Sequence, residues 1–160
     1  MRATRGRAAG DLLTGTVLDA LEIGDTAVET ILAHARATAP NECCGLLIGV
    51  GGRIERSLAA TNLEPGPNSY LIDPADHFTA IRSARADGCE VLGAYHSHPG
   101  AEAIPSRRDI AEASGPAFVY LIVSVGPGER SDVKAFLFEE GRAIPVRLTR
   151  VNDRRTDCRR

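Results

Sequence analysis

Two histidines one residue apart, His96 and His98, end the apolar stretch "EVLGAYHSH" and run straight into Pro99. Residues i and i+2 of a strand point to the same side. Both imidazoles therefore project together and can reach one metal ion at about 2.0–2.1 Å. Asp109 stands eleven positions past His98, in "PSRRD", placed to add a carboxylate as third ligand. Three protein ligands leave zinc one open position, the arrangement of catalytic rather than structural sites. Two imidazoles and a carboxylate suit Zn2+, one ion per chain. Such an ion lowers the pKa of bound water to about 7. Hydrolysis then needs a group to take the proton and pass it to the leaving amine. The candidate outside this stretch is Glu42, in "PNECCGLLIG", at the mouth of an apolar run.

Each piece has a plainer reading. "SRRD" is also a helix start, with Ser106 at the N-cap and Asp109 at N3. A lone His-x-His occurs on exposed strands, and a single glutamate at a strand start is ordinarily solvated. Capping and ligation both stand at this point for Ser106 and Asp109. The joint pattern is what carries weight: His-x-His-Pro at a strand end, then Pro-Ser-x-x-Asp. His34 reads as a surface or capping residue of a first helix, and His77 as structural. Tyr70 and Tyr95 border the cleft, but Tyr95 alternates with the histidines and so faces the other side of the sheet.

The elements that must position these residues follow from periodicity and punctuation. "TVLDALEIGD" reads as a first strand. "TAVE", Thr26 to Glu29, has capping-box spacing, and Val28, Ile31, Leu32 and Ala35 share one helical face. That helix must stop before Pro40. "CCGLLIGV" suits a buried strand, turned by Gly51-Gly52 into "RIERSLAATN", with "LEPGPNS" a loop. Asp73, Pro74 and Gly88 bracket a second helix. The histidine strand follows, then a helix from about Ser106, then "FVYLIVSV", then a hairpin turning at Glu140-Gly141. The order β-α-β-β-α-β-α-β-β-β predicts an α+β fold on a mixed sheet rather than a doubly wound one.

The 160 residues predict one domain, residues 17–149, between a basic N-terminal tail (1–16) and a basic C-terminal tail (150–160). The ends carry +2 and +3 of a net charge of −2, which leaves −7 between them. An acidic body argues against nucleic-acid binding, and the tail arginines read as solvated. No apolar run approaches a membrane span, and no secretion signal is recognisable. The four cysteines form no CxxC, so free thiols in a reducing cytoplasm are expected. A homodimer is an option the sequence does not select.

Together, "PNECCGLLIG" and "GAYHSHPGAEAIPSRRD", about fifty residues on, resemble the JAMM/MPN+ metalloprotease family. Its pattern is a glutamate ahead of a Gly-Leu-Leu strand, then His-x-His-Pro, six residues, Ser, two residues and Asp. Here the six are Gly100 to Pro105. The resemblance implies an MPN/JAB fold: a mixed, curved sheet with flanking helices, akin to cytidine deaminases. It implies His96, His98 and Asp109 as zinc ligands, Glu42 as the residue that holds and deprotonates water, and Ser106 as donor to the oxyanion. The short chain resembles compact bacterial members, which act on ubiquitin-like sulfur-carrier proteins. The expected reaction is hydrolysis of the amide after such a carrier's C-terminal Gly-Gly, releasing cysteine or a short extension. The tail would enter by adding a strand to an exposed sheet edge, with "IERSLAATN" and the loop after Ala101 as candidates. Three rivals remain. A non-catalytic MPN scaffold would lack these residues. A zinc deaminase needs H-x-E and P-C-x-x-C, which are absent. A JAB-like protein of DNA repair shares the histidine run but not "ECCGLLIG".

Overall fold

The computed structural model describes residues 19–115, 117–128, 130–153 and 158. The expected N-terminal tail and the first residues of the expected first strand lie outside them. Ten elements follow in the expected order: β1 (Ala20–Gly24), α1 (Asp25–Thr38), β2 (Cys44–Val50), β3 (Arg53–Ala60), α2 (Pro74–Ala86), β4 (Glu90–Pro99), α3 (Arg107–Ala111), β5 (Val119–Val125), β6 (Ser131–Glu139) and β7 (Arg142–Val151). The strands order as β1-β3-β2-β4-β5-β6-β7, and β1 pairs with β7 to close the sheet on itself. Pairing is mixed: β1–β3, β1–β7 and β4–β5 are parallel, the others antiparallel.

Closure revises the expectation of a freely exposed sheet edge. The β1–β3 seam is short, only Glu22↔Arg53 and Ile23↔Ile54. Beyond Ile54, no described strand pairs with the outer side of β3. The tight turns fall where expected. Glu140 and Gly141 both have positive φ, 49° and 73°, as a two-residue hairpin turn requires.

The alternation of each strand splits the core into two faces. On one, Leu47, Tyr95, Leu121, Val123 and Leu137 pack against Ile31, Leu32 and Ala35 of α1. On the other, Leu46, Ile48 and Ala94 meet Ala80 and Ala84 of α2, while Tyr120, Ile122, Phe136 and Phe138 form a cluster with Ala103. Each fully buried aliphatic side chain contributes about 1.5–3 kcal/mol. His96 and His98 share the second face with Ala94. Tyr95 faces the first, as its alternation predicts. Gly45 is required by that packing, because a Cβ there would stand 2.3 Å from the Tyr95 ring and 2.4 Å from the Leu58 carbonyl oxygen.

Several local expectations change. Thr26 does not cap α1, whose N-cap is Gly24. Because the helix starts at Asp25, Thr26 sits inside its first turn, and its N–H and hydroxyl both donate to Asp153, at 2.9 and 2.5 Å. A carboxylate from beyond β7 thus satisfies the helix start. Arg150 is not simply solvated: it pairs with Asp25 and Glu29 of α1. His34 is half-buried, with Nδ1 2.8 Å from the Tyr95 hydroxyl. The free-thiol expectation holds for Cys43 and Cys44, both buried. It fails for Cys89, which is disulfide-bonded to Cys158, with Cα atoms 5.4 Å apart. Their separation of 69 residues leaves no spacing signal to read.

Candidate active site

The histidine strand β4 is clamped from both sides. It pairs with β2 through Cys44↔His96 and with β5 through His96↔Ile122 and His98↔Ser124. The antiparallel register continues past the end of β2, since Ser97 N–H donates to the Cys43 carbonyl at 3.1 Å. One step further, that register sets Glu42 opposite His98. The backbone therefore places the glutamate beside the second histidine. Ser97, on the opposite face, accepts from Cys43 N–H at 2.8 Å and locks the alignment.

Pro99 ends β4, Gly100 turns the chain at φ 71°, and the loop returns through Ala103, buried at 1%. It delivers a short α3 whose N-cap is Ser106. Ser106 Oγ accepts from Asp109 N–H at 3.1 Å, and Asp109 Oδ2 accepts from Ser106 N–H at 2.7 Å. The capping reading is thus borne out. It does not exclude the other. The same Asp109 carboxylate puts Oδ1 3.3 Å from His96 Nε2 and Oδ2 3.4 Å from His98 Nε2. The cap orients the carboxylate toward the histidines.

The two Nε2 atoms lie 3.1 Å apart. A tetrahedral ion with ligand bonds of about 2.0–2.1 Å has ligand–ligand edges of about 3.3–3.4 Å. The Nε2–Nε2 separation of 3.1 Å is close to such an edge, and each Nε2 has one Asp109 oxygen at edge distance, Oδ1 at 3.3 Å from His96 and Oδ2 at 3.4 Å from His98. His96, His98 and Asp109 thus form a group able to hold a metal ion. A second group, Glu55, Cys89 and Cys158, meets the same distance criterion, but its sulfurs are joined to each other.

Without metal, electrostatics favour the ligating form of His96 and Asp109, but the proton-bound form of His98. Burial lowers the proton affinity of His96 and outweighs the pull of Asp109. For His98, burial works the same way, but Asp109 and the Glu102 carbonyl overcome it and raise its pKa. Burial opposes the Asp109 charge, yet hydrogen bonds from His96, His98 and Ser106 N–H hold its carboxyl far below the usual range. Glu42 is 6% exposed. Burial pushes its pKa up to about 7, with Asp109 adding to the shift and His98 opposing it. A carboxyl balanced near neutrality is suited to taking and returning a proton. Cys44, opposite His96, is pushed up to about 12, chiefly by burial, so it stays a protonated thiol. His77 stays outside this group and lines a neighbouring cavity of about 420 Å³ together with Tyr70 and Arg108.

Asn62 was not singled out by the sequence, and Tyr70 has a larger part than expected. Asn62 donates to the Glu42 carbonyl at 3.2 Å and accepts from the N–H groups of Glu64 and Leu71, each at 2.9 Å. It fastens the 61–72 loop to the glutamate. Tyr70, expected only to border the cleft, stacks on the His96 ring, with centroids 4.4 Å apart and planes 20° from parallel. An Asn before a Pro/Gly-rich loop is the only trace of the first.

Comparison with known proteins identifies the family. A family profile described as prokaryotic homologues of the JAB domain matches residues 25–138. The CysO-cysteine peptidase of Mycobacterium tuberculosis is 37% identical over 133 residues, covering 81% of this chain and 90% of that protein. The desampylase of Haloferax volcanii is 32% identical over 133 residues, covering 79% and 94%. The solution structure of protein DSY2949 from Desulfitobacterium hafniense superposes with a TM-score of 0.76 at 33% identity, covering 82% of this chain and 93% of that one. Among the described residues no helix is long and apolar enough to cross a membrane. With its α+β fold, its converging donors and matches to hydrolases over most of its length, the chain belongs to the family of prokaryotic JAB-domain homologues.

Proposed function

We propose that this chain is a zinc-dependent peptidase of the JAMM type. Its substrate is the amide bond after the C-terminal Gly-Gly of a ubiquitin-like sulfur-carrier protein, and it releases cysteine or a short extension. The observation that carries the reading is the convergence of His96, His98 and Asp109 within 3.1–3.4 Å of one another, with Glu42 facing His98. Two relatives named for cleaving such conjugates support the substrate class. Glu42, His96, His98, Ser106 and Asp109 are all present, which gives the scaffold reading no support.

His96, His98 and Asp109 would hold the zinc ion, which would make water easier to ionise near neutral pH and polarise the scissile carbonyl. Glu42 orients the attacking water, accepts its proton, and passes that proton to the departing amine nitrogen. Ser106 keeps its hydroxyl proton free, because its oxygen accepts from Asp109 N–H. It donates that proton in a hydrogen bond to the carbonyl oxygen as negative charge develops there. His98 donates from Nδ1 to the Glu102 carbonyl, 2.9 Å away, which fixes the tautomer that leaves Nε2 free. The Gly-Gly tail suits a cleft where backbone must approach closely. A cytoplasmic location belongs to the same proposal, and a reducing compartment would hold Cys89 and Cys158 as thiols there.

Incubation with zinc and a carrier–cysteine conjugate, followed by intact-mass spectrometry, tests the reading. Loss of one residue's mass from the conjugate is expected. An unchanged conjugate, with the protein carrying zinc, contradicts it.

A further inference from the structure

A histidine that binds metal through one ring nitrogen ordinarily donates from the other to a carboxylate, carbonyl or water, and that bond sets the ring's orientation. His98 follows the rule through the Glu102 carbonyl. His96 does not: its Nδ1 is buried and has no hydrogen-bond partner among the described residues. The ring torsion of a histidine has broad minima, so something else must hold this ring with Nε2 toward Asp109. The group in contact is Tyr70, lying nearly parallel over the imidazole at a centroid distance of 4.4 Å.

We propose that Tyr70 is the positioning residue of His96: its ring takes the place of the missing outer hydrogen bond and pre-sets the imidazole for metal binding. Tyr70 is itself held. Leu71, next in the chain, donates to Asn62 Oδ1 at 2.9 Å, and its carbonyl accepts from Leu63 N–H at 2.8 Å. Asn62 also donates to the Glu42 carbonyl, so one side chain anchors both the base and the ring over the first ligand. Behind Tyr70 lies the cavity of about 420 Å³ floored by Leu46, Ala94 and Phe118. Without the tyrosine ring, His96 would border open space rather than a packed wall.

The inference rests on the metal reading of the site. The test compares wild type, Tyr70→Phe and Tyr70→Leu for zinc affinity, by competition with a chromophoric chelator, and for melting of the zinc-free proteins. The Phe variant keeps the stack and is expected within about twofold of wild type. The Leu variant is expected to bind zinc about ten- to a hundredfold more weakly at a similar zinc-free melting temperature. Equal zinc affinity in the Leu variant overturns the proposal. So does an equal loss in the Phe variant, which would assign the role to the hydroxyl. A Leu variant that fails to fold leaves a test in the wild type: the His96 ring protons should resonate upfield of those of His98 in NMR spectra, from the Tyr70 ring current. Absence of that difference overturns the stack. Failure of the wild type itself to bind zinc overturns the metal reading and this inference together.

Discussion

Replacing Glu42 by Gln removes a charge and a proton acceptor while preserving the side chain's shape. Glu42 is outside the three-residue group able to hold a metal, so the variant should retain zinc at wild-type stoichiometry. Loss of the proton-transfer group should lower kcat by about 10²–10⁴-fold. The structure adds a consequence for stability. In the zinc-free protein, burial raises the Glu42 pKa from 4.5 to about 7. A carboxyl whose folded pKa lies above its unfolded value contributes its stability below the unfolded pKa and loses it as pH rises through the folded one. Ionised Glu42 therefore opposes folding above pH 7, and Gln does not. At about 1.36 kcal/mol per unit, the ceiling is ~3 kcal/mol. Relaxation around a buried charge reduces this cost, so about 1 kcal/mol is expected, or roughly 2–4 °C in melting temperature for a chain of this size. Melting curves of the zinc-free proteins should coincide near pH 4, separate with the Gln variant higher as pH rises from about 4.5 to about 7, and keep that offset at higher pH. Full activity in the variant refutes the role of Glu42 as base, and melting curves that coincide at pH 8 refute the electrostatic argument.

Other perturbations have equally definite outcomes. His98→Ala and Asp109→Asn should each weaken zinc binding by more than the roughly hundredfold cost of losing an outer-shell partner, read by chelator competition. Leu47→Ala, in the face packed on α1, should cost about 2–5 kcal/mol, seen as a lower urea midpoint with activity per folded molecule unchanged. Cys158→Ser should lower thermal stability, with a chain-entropy ceiling of about 4 kcal/mol for a loop of this length, and leave zinc affinity alone. Dithiothreitol should reproduce that loss in the wild type; an unaltered melt in reductant would mean that Cys89 and Cys158 are not joined.

The site was legible because its chemistry is local in sequence. His96, His98, Ser106 and Asp109 come from one strand, one turn and one helix start, and strand alternation alone sends both imidazoles to the same side. Glu42 was legible only as part of a pattern; its place opposite His98 depends on the β2–β4 register, which no local rule supplies. Asn62, and the stacking of Tyr70 on His96, escaped because both residues act from a loop whose composition predicts irregularity but not where it folds back. The element order was readable from caps, prolines and apolar runs. Closure of the sheet was not, since it joins β1 to β7 across nearly the whole chain. Thr26 misled for a related reason: its spacing to Glu29 is a sound local signal, but Asp153, 127 residues away, competes for the same donors and wins. The Cys89–Cys158 pair is likewise a product of the tertiary path.

Anomalous diffraction at the zinc absorption edge, from crystals grown with one equivalent of zinc, tests the central claim most directly. The account predicts a single strong peak within about 2.1 Å of His96 Nε2, His98 Nε2 and an Asp109 carboxylate oxygen. A map with no peak there, or with its peak at Glu55, Cys89 and Cys158 instead, contradicts it.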